Sequence, residues 1–137
     1  MEQPNNIGTR EDLYKYRVAS AKEALESAKI LMNANFYKAA NNRAYYAIFH
    51  AINAVHALNG AAYKRHKDAL ANFNKDYVKT EIFPRSIGRK IGQAEDIRHA
   101  SDYDDFYIAV KSEVEELIDT ATELIKYIEE YFENRQI

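Results

Sequence analysis

Polar side chains interrupt an otherwise apolar stretch of the chain, and their types and spacing suit acid–base and phosphate chemistry. Arg43 and His50 stand seven residues apart with Tyr46 between them, so a helix places all three on one face. Histidine titrates near neutral pH, and arginine can bind a phosphate through two N–H groups at once. Two interpretations stay open: Arg43 pairs with the acidic last helix in the core, or this face opens onto a cleft.

A second polar cluster precedes the acidic last part of the chain. Arg98, Asp102 and Tyr103 belong to the string RHASDYDD, which we predict to lie where a helix ends and a loop begins. Arginine there can bind phosphate, and the carboxylate and phenol can act as bases or hydrogen-bond partners. The alternative is a helix C-terminus with favourable cations, followed by an Asx-rich turn.

A short basic stretch supplies further candidates for binding phosphate. Lys64, Arg65 and His66 are consecutive, and they form either a phosphate-binding patch or a solvated basic turn. The aspartates of the RHASDYDD string do not complete a calcium loop, because no glycine follows at the turning position. The chain has no glycine-rich phosphate loop, zinc motif or dinucleotide fingerprint. We therefore predict neither a metal nor a cofactor.

Composition excludes several classes of protein. The chain of 137 residues has no cysteine, which excludes disulfides, thiolate zinc sites and a cysteine nucleophile. No apolar run approaches the ~20 residues of a membrane span, and the polar N-terminus does not resemble a secretory signal. We expect a cytoplasmic protein with no membrane contact. Residues 64–98 carry 9 basic and 5 acidic side chains, against 3 and 11 in residues 99–137, so the basic middle faces phosphates or packs beside the acidic tail.

Helical periodicity runs through nearly the whole chain. It predicts a single all-α domain over residues 1–137, an up-and-down bundle of four to five helices with its core over about 10–134 and a polar tail over 1–9. Thr9 should cap the first helix, and Ser112 to Glu115 spells a capping box for the last. The first predicted helix ends near Asn33, and the second runs over about 36–58. The third follows the basic stretch and reaches about Tyr77. The fourth runs over about 85–99 and the fifth over about 113–132, with a loop over 101–110 between them.

Three strings in the chain are similar to the motifs of one family. NRAYYAIFHAINAV is followed by the basic stretch and then by IRHASDYDDFY before an acidic helix. This pattern resembles the HEPN domains, in particular small stand-alone bacterial and archaeal ones, over about Asp12 to Tyr131. The resemblance implies a helical bundle paired as a homodimer, and a toxin–antitoxin setting with a nucleotidyltransferase partner. Many such domains are metal-independent ribonucleases, in which an R-x(4–6)-H motif at the dimer cleft activates the RNA 2′-hydroxyl and stabilises the transition state.

The chain matches that motif only in part. Arg98 fits the arginine, but Tyr103 and Asp105 stand where the resemblance places the histidine. Arg43 and His50 have the required spacing on an earlier helix. In some pairs the nucleotidyltransferase modifies a tyrosine next to the motif, and Tyr103 is the counterpart here.

We therefore carry two hypotheses for the function of this chain. One is a toxin-like or partner-binding domain that binds RNA or a nucleotide at a polar dimer cleft, and the other is an endoribonuclease. The candidate catalytic residues are Arg98, His50 and Arg43, and the candidate binding residues are Tyr46, Lys64, Arg65, His66, Asp102 and Tyr103.

Overall fold

The computed structural model describes residues 6–136, and this part of the chain contains no strand. The predicted all-α class is confirmed. None of the helices within these residues is long and apolar enough to cross a membrane. The helices are α1 (Asn6–Asn33), α2 (Tyr37–Leu58), α3 (His66–Phe73), α4 (Arg85–Tyr103) and α5 (Lys111–Gln136), and a π-helical turn (Asn74–Val78) continues α3.

Helix α2 is the centre of the bundle and packs against α1, α3, α4 and α5. Every residue from Ala51 to Leu58 is buried, as expected for a helix that is apolar nearly all round. Earlier on the same helix, the side chains of Tyr45 and Ile48 are completely inaccessible to solvent. The core therefore surrounds the second half of α2, whereas the first half keeps a partly exposed face.

The two predicted helix caps are wrong. Helix α1 already includes Asn6, so Thr9 lies inside it; residues 1–5 of the predicted tail lie outside the described residues. Helix α5 begins at Lys111, and the carbonyl of Val110 accepts its first backbone bonds. The cap is the Glu113 carboxylate, whose Oε1 accepts the Val110 N–H at 3.3 Å. Glu113 occupies the glutamate position of a capping box, two residues earlier than predicted.

Helix α4 is longer than the sequence pattern predicts. It continues through Tyr103, so the predicted loop over 101–110 is wrong for its first three residues. Ser101 is buried there, and Arg98 Nε lies 3.0 Å from Asp102 Oδ2 one turn further along. An ion pair at this spacing stabilises a helix. The backbone N–H of Asp104 still bonds to the Ala100 carbonyl at 2.9 Å, which closes the last turn.

The start of α4 packs closely on the π-helical turn. A Cβ atom built on Gly88 would lie 2.8 Å from Val78 Cγ1, whereas one built on Gly92 would meet no atom within 4 Å. Val78 is buried and cannot move aside without disturbing the core. Glycine is therefore required by packing at Gly88 and not at Gly92.

We expect opposite effects when each of these glycines is replaced by alanine. Gly92→Ala should raise the free energy of unfolding by about 0.5–1 kcal/mol, because glycine is a poor helix former. Gly88→Ala should lower it, because overpacking costs about 1–3 kcal/mol and exceeds the same gain. Urea denaturation measures both, and equal effects of the two substitutions would contradict the close packing at Gly88.

Candidate functional site

The candidate site is built from α2, the first residue of α3 and the last turns of α4. We call Tyr45, Tyr46, Phe49, His50 and His66 the aromatic cluster, because ring contacts join all five. Its core is the ring of Tyr45, which is fully buried.

The Tyr45 side chain links a cation on α4 to an imidazole on α3. The guanidinium carbon of Arg98 lies 5.3 Å from the centroid of the Tyr45 ring, within the range of a cation–π contact. His66 Nδ1 lies 3.5 Å from the Tyr45 hydroxyl, at the outer limit of a hydrogen bond. Residues far apart in sequence thus meet around one buried phenol.

Aromatic contacts hold the His66 ring in place. Its centroid lies 3.8 Å from that of Phe49 with the planes 26° apart, and the Tyr46 ring meets it edge-on at 5.7 Å. Phe49 follows Tyr45 by one helical turn and stacks on it at 6.5 Å. The sequence periodicity of α2 therefore builds an aromatic wall against which the start of α3 packs.

Two buried polar groups at this site have no aligned hydrogen-bond partner among residues 6–136. Arg98 Nε is one of them, because the nearby Asp102 carboxylate is at ion-pair distance without hydrogen-bond geometry. The other is the side-chain amide of Asn41, one turn before Tyr45 on α2, which is only 2% exposed and interacts with the Tyr107 hydroxyl without aligned geometry. Each buried group thus has a polar neighbour in the protein, and the exposed 25% of the Arg98 side chain is the part that a polar ligand can reach.

Arg43 and His50 lie at the other side of Tyr46. The guanidinium carbon of Arg43 is 5.3 Å from the Tyr46 ring centroid, and the His50 centroid is 6.2 Å from it. In the described part of the chain no carboxylate lies within ion-pair distance of Arg43, so the alternative of a core pair with the last helix is not formed. Arg43, Tyr46 and His50 do share one partly exposed face.

Among residues 6–136, three of the candidate binding residues form no side-chain hydrogen bond, ion pair or ring contact with the aromatic cluster. Lys64 and Arg65 are exposed, and Arg65 Nε pairs with Asp68 Oδ2 at 3.0 Å. Tyr103 is 72% exposed and its ring contacts His99 at 4.7 Å. No group of three His, Asp or Glu side chains in residues 6–136 could hold a metal ion. The structure brings together Arg43, Tyr46, His50, His66, Arg98 and Asp102.

Burial shifts the pKa values of the two histidines and of Tyr45 in the aromatic cluster. It lowers the pKa of His66, and the charge of Arg98 lowers that pKa further. Burial also lowers the pKa of His50, with Arg43 and Arg17 acting in the same direction. Burial raises the pKa of Tyr45 to about 12, although Arg98 opposes the shift. At neutral pH the site therefore combines neutral imidazoles, a protonated phenol and a fixed cation.

Sequence reasoning missed Tyr45, Phe49 and Asn41. All three lie in a helix that is apolar nearly all round, where an aromatic residue is typical of a core position. The consecutive pair Tyr45–Tyr46 was the one available signal, since neighbouring residues on a helix face different directions. Only the packing of α3 and α4 distinguishes these side chains from ordinary core residues.

Comparison with known proteins identifies the family. The HEPN domain model matches residues 14–131. The chain belongs to the HEPN family. A UPF0332 protein of Thermotoga maritima is 28% identical to this HEPN chain over 128 residues, which are 93% of this chain and 97% of that protein.

Two proteins of Methanocaldococcus jannaschii that carry the name "putative toxin" are also similar to this HEPN chain. One is 30% identical over 101 residues, 74% of this chain and 69% of that protein. The other is 34% identical over 83 residues, 61% of this chain and 62% of that protein.

His56 is a buried histidine that lies outside the candidate site. It is 2% exposed, and its Nε2 lies 2.9 Å from the Ala69 carbonyl oxygen, which joins α2 to α3. Burial lowers its pKa below the ordinary 6.5, although the Ala69 bond opposes the shift. A pKa lower in the folded than in the unfolded chain favours the neutral folded form. The resulting stability is present above pH 6.5 and is lost as the pH falls through the lowered value.

We expect the free energy of unfolding of the HEPN domain to fall between pH 7.5 and pH 5 more steeply in the wild type than in His56→Gln. Glutamine can still donate to the Ala69 carbonyl but takes up no proton. Urea denaturation at both pH values measures this slope, and His99→Gln serves as the control because His99 is exposed. An unchanged slope in His56→Gln would contradict the burial argument.

Proposed function

We propose that this chain is the toxin-like half of a HEPN–nucleotidyltransferase pair, and that it binds RNA or a nucleotide where Arg98 meets the aromatic cluster. Membership of the HEPN family and the toxin names of two archaeal relatives support the toxin role. The nucleotidyltransferase partner follows from the family resemblance, and exposed Tyr103 is the side chain that such a partner could modify.

The observation that carries the binding proposal is the state of Arg98. Its side chain is 25% exposed, and its buried Nε faces no aligned acceptor among the described residues. A phosphate oxygen at the exposed part of the guanidinium would accept a charge-assisted hydrogen bond. The partly exposed rings of Tyr46, Phe49 and His66 offer faces for an unpaired base, and such stacking contributes about 1–3 kcal/mol per base.

The second candidate function is a metal-independent endoribonuclease that uses Arg98 with His50. The observation in its favour is that a fixed cation and neutral imidazoles belong to one connected group of side chains. Arginine stabilises the charge that develops on the phosphate, and histidine takes a proton from the 2′-hydroxyl. Arg43 would add positive charge beside His50.

We also propose that the chain forms a homodimer through the segment that links α4 to α5. Phe106 is 91% exposed, Ile108 79% and Val110 45%, so this segment presents an apolar strip to solvent. A contiguous apolar surface of this kind marks an interaction site. The strip follows directly after the turns that carry Arg98 and Asp102, and a second copy bound there would lie next to the site.

Arg98→Ala should weaken binding of a fluorescent single-stranded RNA about 10- to 100-fold, because it removes a charged hydrogen-bond donor worth about 1.5–3 kcal/mol. Fluorescence anisotropy at fixed salt measures the dissociation constants. Arg89→Ala is the matched control, because Arg89 is an exposed arginine on the same helix. Equal weakening by both substitutions would reduce the site to general electrostatic attraction and contradict the proposal.

Sedimentation equilibrium at micromolar concentration should report a homodimer for the wild type and a monomer for the double variant Phe106→Ser/Ile108→Ser. The substitutions remove apolar area that only an interface would bury. Ile30→Ser is the control, since Ile30 is 66% exposed on α1. A monomeric wild type, or a dimeric double variant, would contradict the proposed interface.

A further inference from the structure

The two histidines of the aromatic cluster differ in their relation to Arg98. The charge of Arg98 acts on His66, whereas the cations that act on His50 are Arg43 and Arg17. Arg98 and His66 both contact the buried Tyr45 side chain, one over the ring and one at the hydroxyl. Of the two histidines in the aromatic cluster, His66 is therefore the one that contacts the same side chain, Tyr45, as Arg98 does.

The orientation of His66 suits proton transfer. When Nδ1–H donates to the Tyr45 hydroxyl oxygen, the other nitrogen, Nε2, carries the lone pair. Within residues 6–136 no hydrogen bond reaches Nε2. Stacking on Phe49 at 3.8 Å fixes the plane of the ring, and the side chain is only half-buried. The contact with Tyr45 thus leaves Nε2 as the ring nitrogen that a ligand can reach, and Phe49 holds the plane of the ring.

We propose that His66, rather than His50, is the general base that acts with Arg98 in the cleavage of single-stranded RNA. This inference rests on the endoribonuclease function proposed above. In this proposal, a histidine at the start of α3 takes the role of the histidine that the R-x(4–6)-H motif would place after Arg98. Tyr45 is then a positioning residue, which sets the tautomer of His66 and supports the Arg98 guanidinium.

The reaction balances with groups already named. His66 Nε2 takes the proton of the 2′-hydroxyl, and the 2′-oxygen forms a bond to the adjacent phosphorus. The bond from phosphorus to the 5′-oxygen breaks, and this oxygen takes a proton from water. Protonated His66 then returns its proton to the solvent. Arg98 donates to the phosphate oxygens as their negative charge increases, and the products are a 2′,3′-cyclic phosphate and a 5′-hydroxyl.

A strand that can reach this nitrogen must place an unpaired nucleotide against the rings. Tyr46, Phe49 and His66 offer stacking surfaces of ring width, and the bases of a duplex are already stacked on each other. The cluster is therefore suited to single-stranded RNA.

The test compares cleavage and binding on matched strands in the presence of EDTA. The substrate is a fluorescent single-stranded RNA, and the uncleavable probe is the same sequence as DNA. We expect His66→Asn to lower the cleavage rate at least about 100-fold while the dissociation constant of the DNA probe changes less than about 3-fold. His50→Asn should retain at least about tenfold more activity than His66→Asn. His99→Asn is the control for an exposed histidine.

A second variant keeps the test independent of the asparagine side chain. His66→Gly removes the imidazole, and free imidazole in the buffer should restore part of its cleavage, because the lost group acts by proton transfer. Circular dichroism and thermal unfolding verify that each variant is folded. Restoration by imidazole supports His66 as the base, whereas a merely structural role predicts none.

The outcomes separate this inference from the proposed function. If the wild type cleaves RNA and His66→Asn cleaves equally well, the inference is wrong and the endoribonuclease function stands. Loss of cleavage in His50→Asn alone would assign the base to His50. If the wild type binds the DNA probe but cleaves no RNA, the inference is wrong and the binding function stands. If it neither binds nor cleaves, both fail.

Discussion

The burial of the last turns of α2 on all sides is the constraint on which the rest of the structure depends. A helix without a polar face along Ala51–Leu58 must be covered by other elements, because exposed apolar area costs about 25 cal/mol per Å². Helices α1 and α5 pack on it together with α3 and α4. The short α3 and the end of α4 therefore sit at fixed places on α2, and the side chains at these two places are His66 and Arg98.

Small side chains allow this coverage to be close. Alanines recur along α2, and those at 40, 44, 47 and 54 are completely buried; Ala21 and Ala28 of α1 are equally buried. Packing of this density permits few rearrangements. Tyr45 and Phe49 project from this rigid helix, so the rings that orient His66 inherit its rigidity. The packing of α3 on α2 thus orients the imidazole.

The fold was predictable to the extent that it depends on local periodicity. The apolar steps of α1 and α5 and the continuous apolar run of α2 specify those helices, while the C-terminus of α4 depends on the burial of Ser101 and on the Arg98–Asp102 pair. The site was predictable only in its polar members. Tyr46 was recognised from its place between Arg43 and His50, but Tyr45 resembles any core aromatic, and the proximity of His66 to Arg98 is a product of tertiary packing.

The departure of this chain from the R-x(4–6)-H motif has a physical explanation. A motif of that spacing keeps the cation and the imidazole within two helical turns of each other along the chain. Here Tyr103 and Asp105 stand where that spacing would place the imidazole, and Asp102 pairs with the arginine within α4. An imidazole near the same guanidinium must then come from another element, and the start of α3 provides one through the shared contact with Tyr45. Arrangement of the reacting groups in space, and not their spacing along the chain, decides whether chemistry is possible.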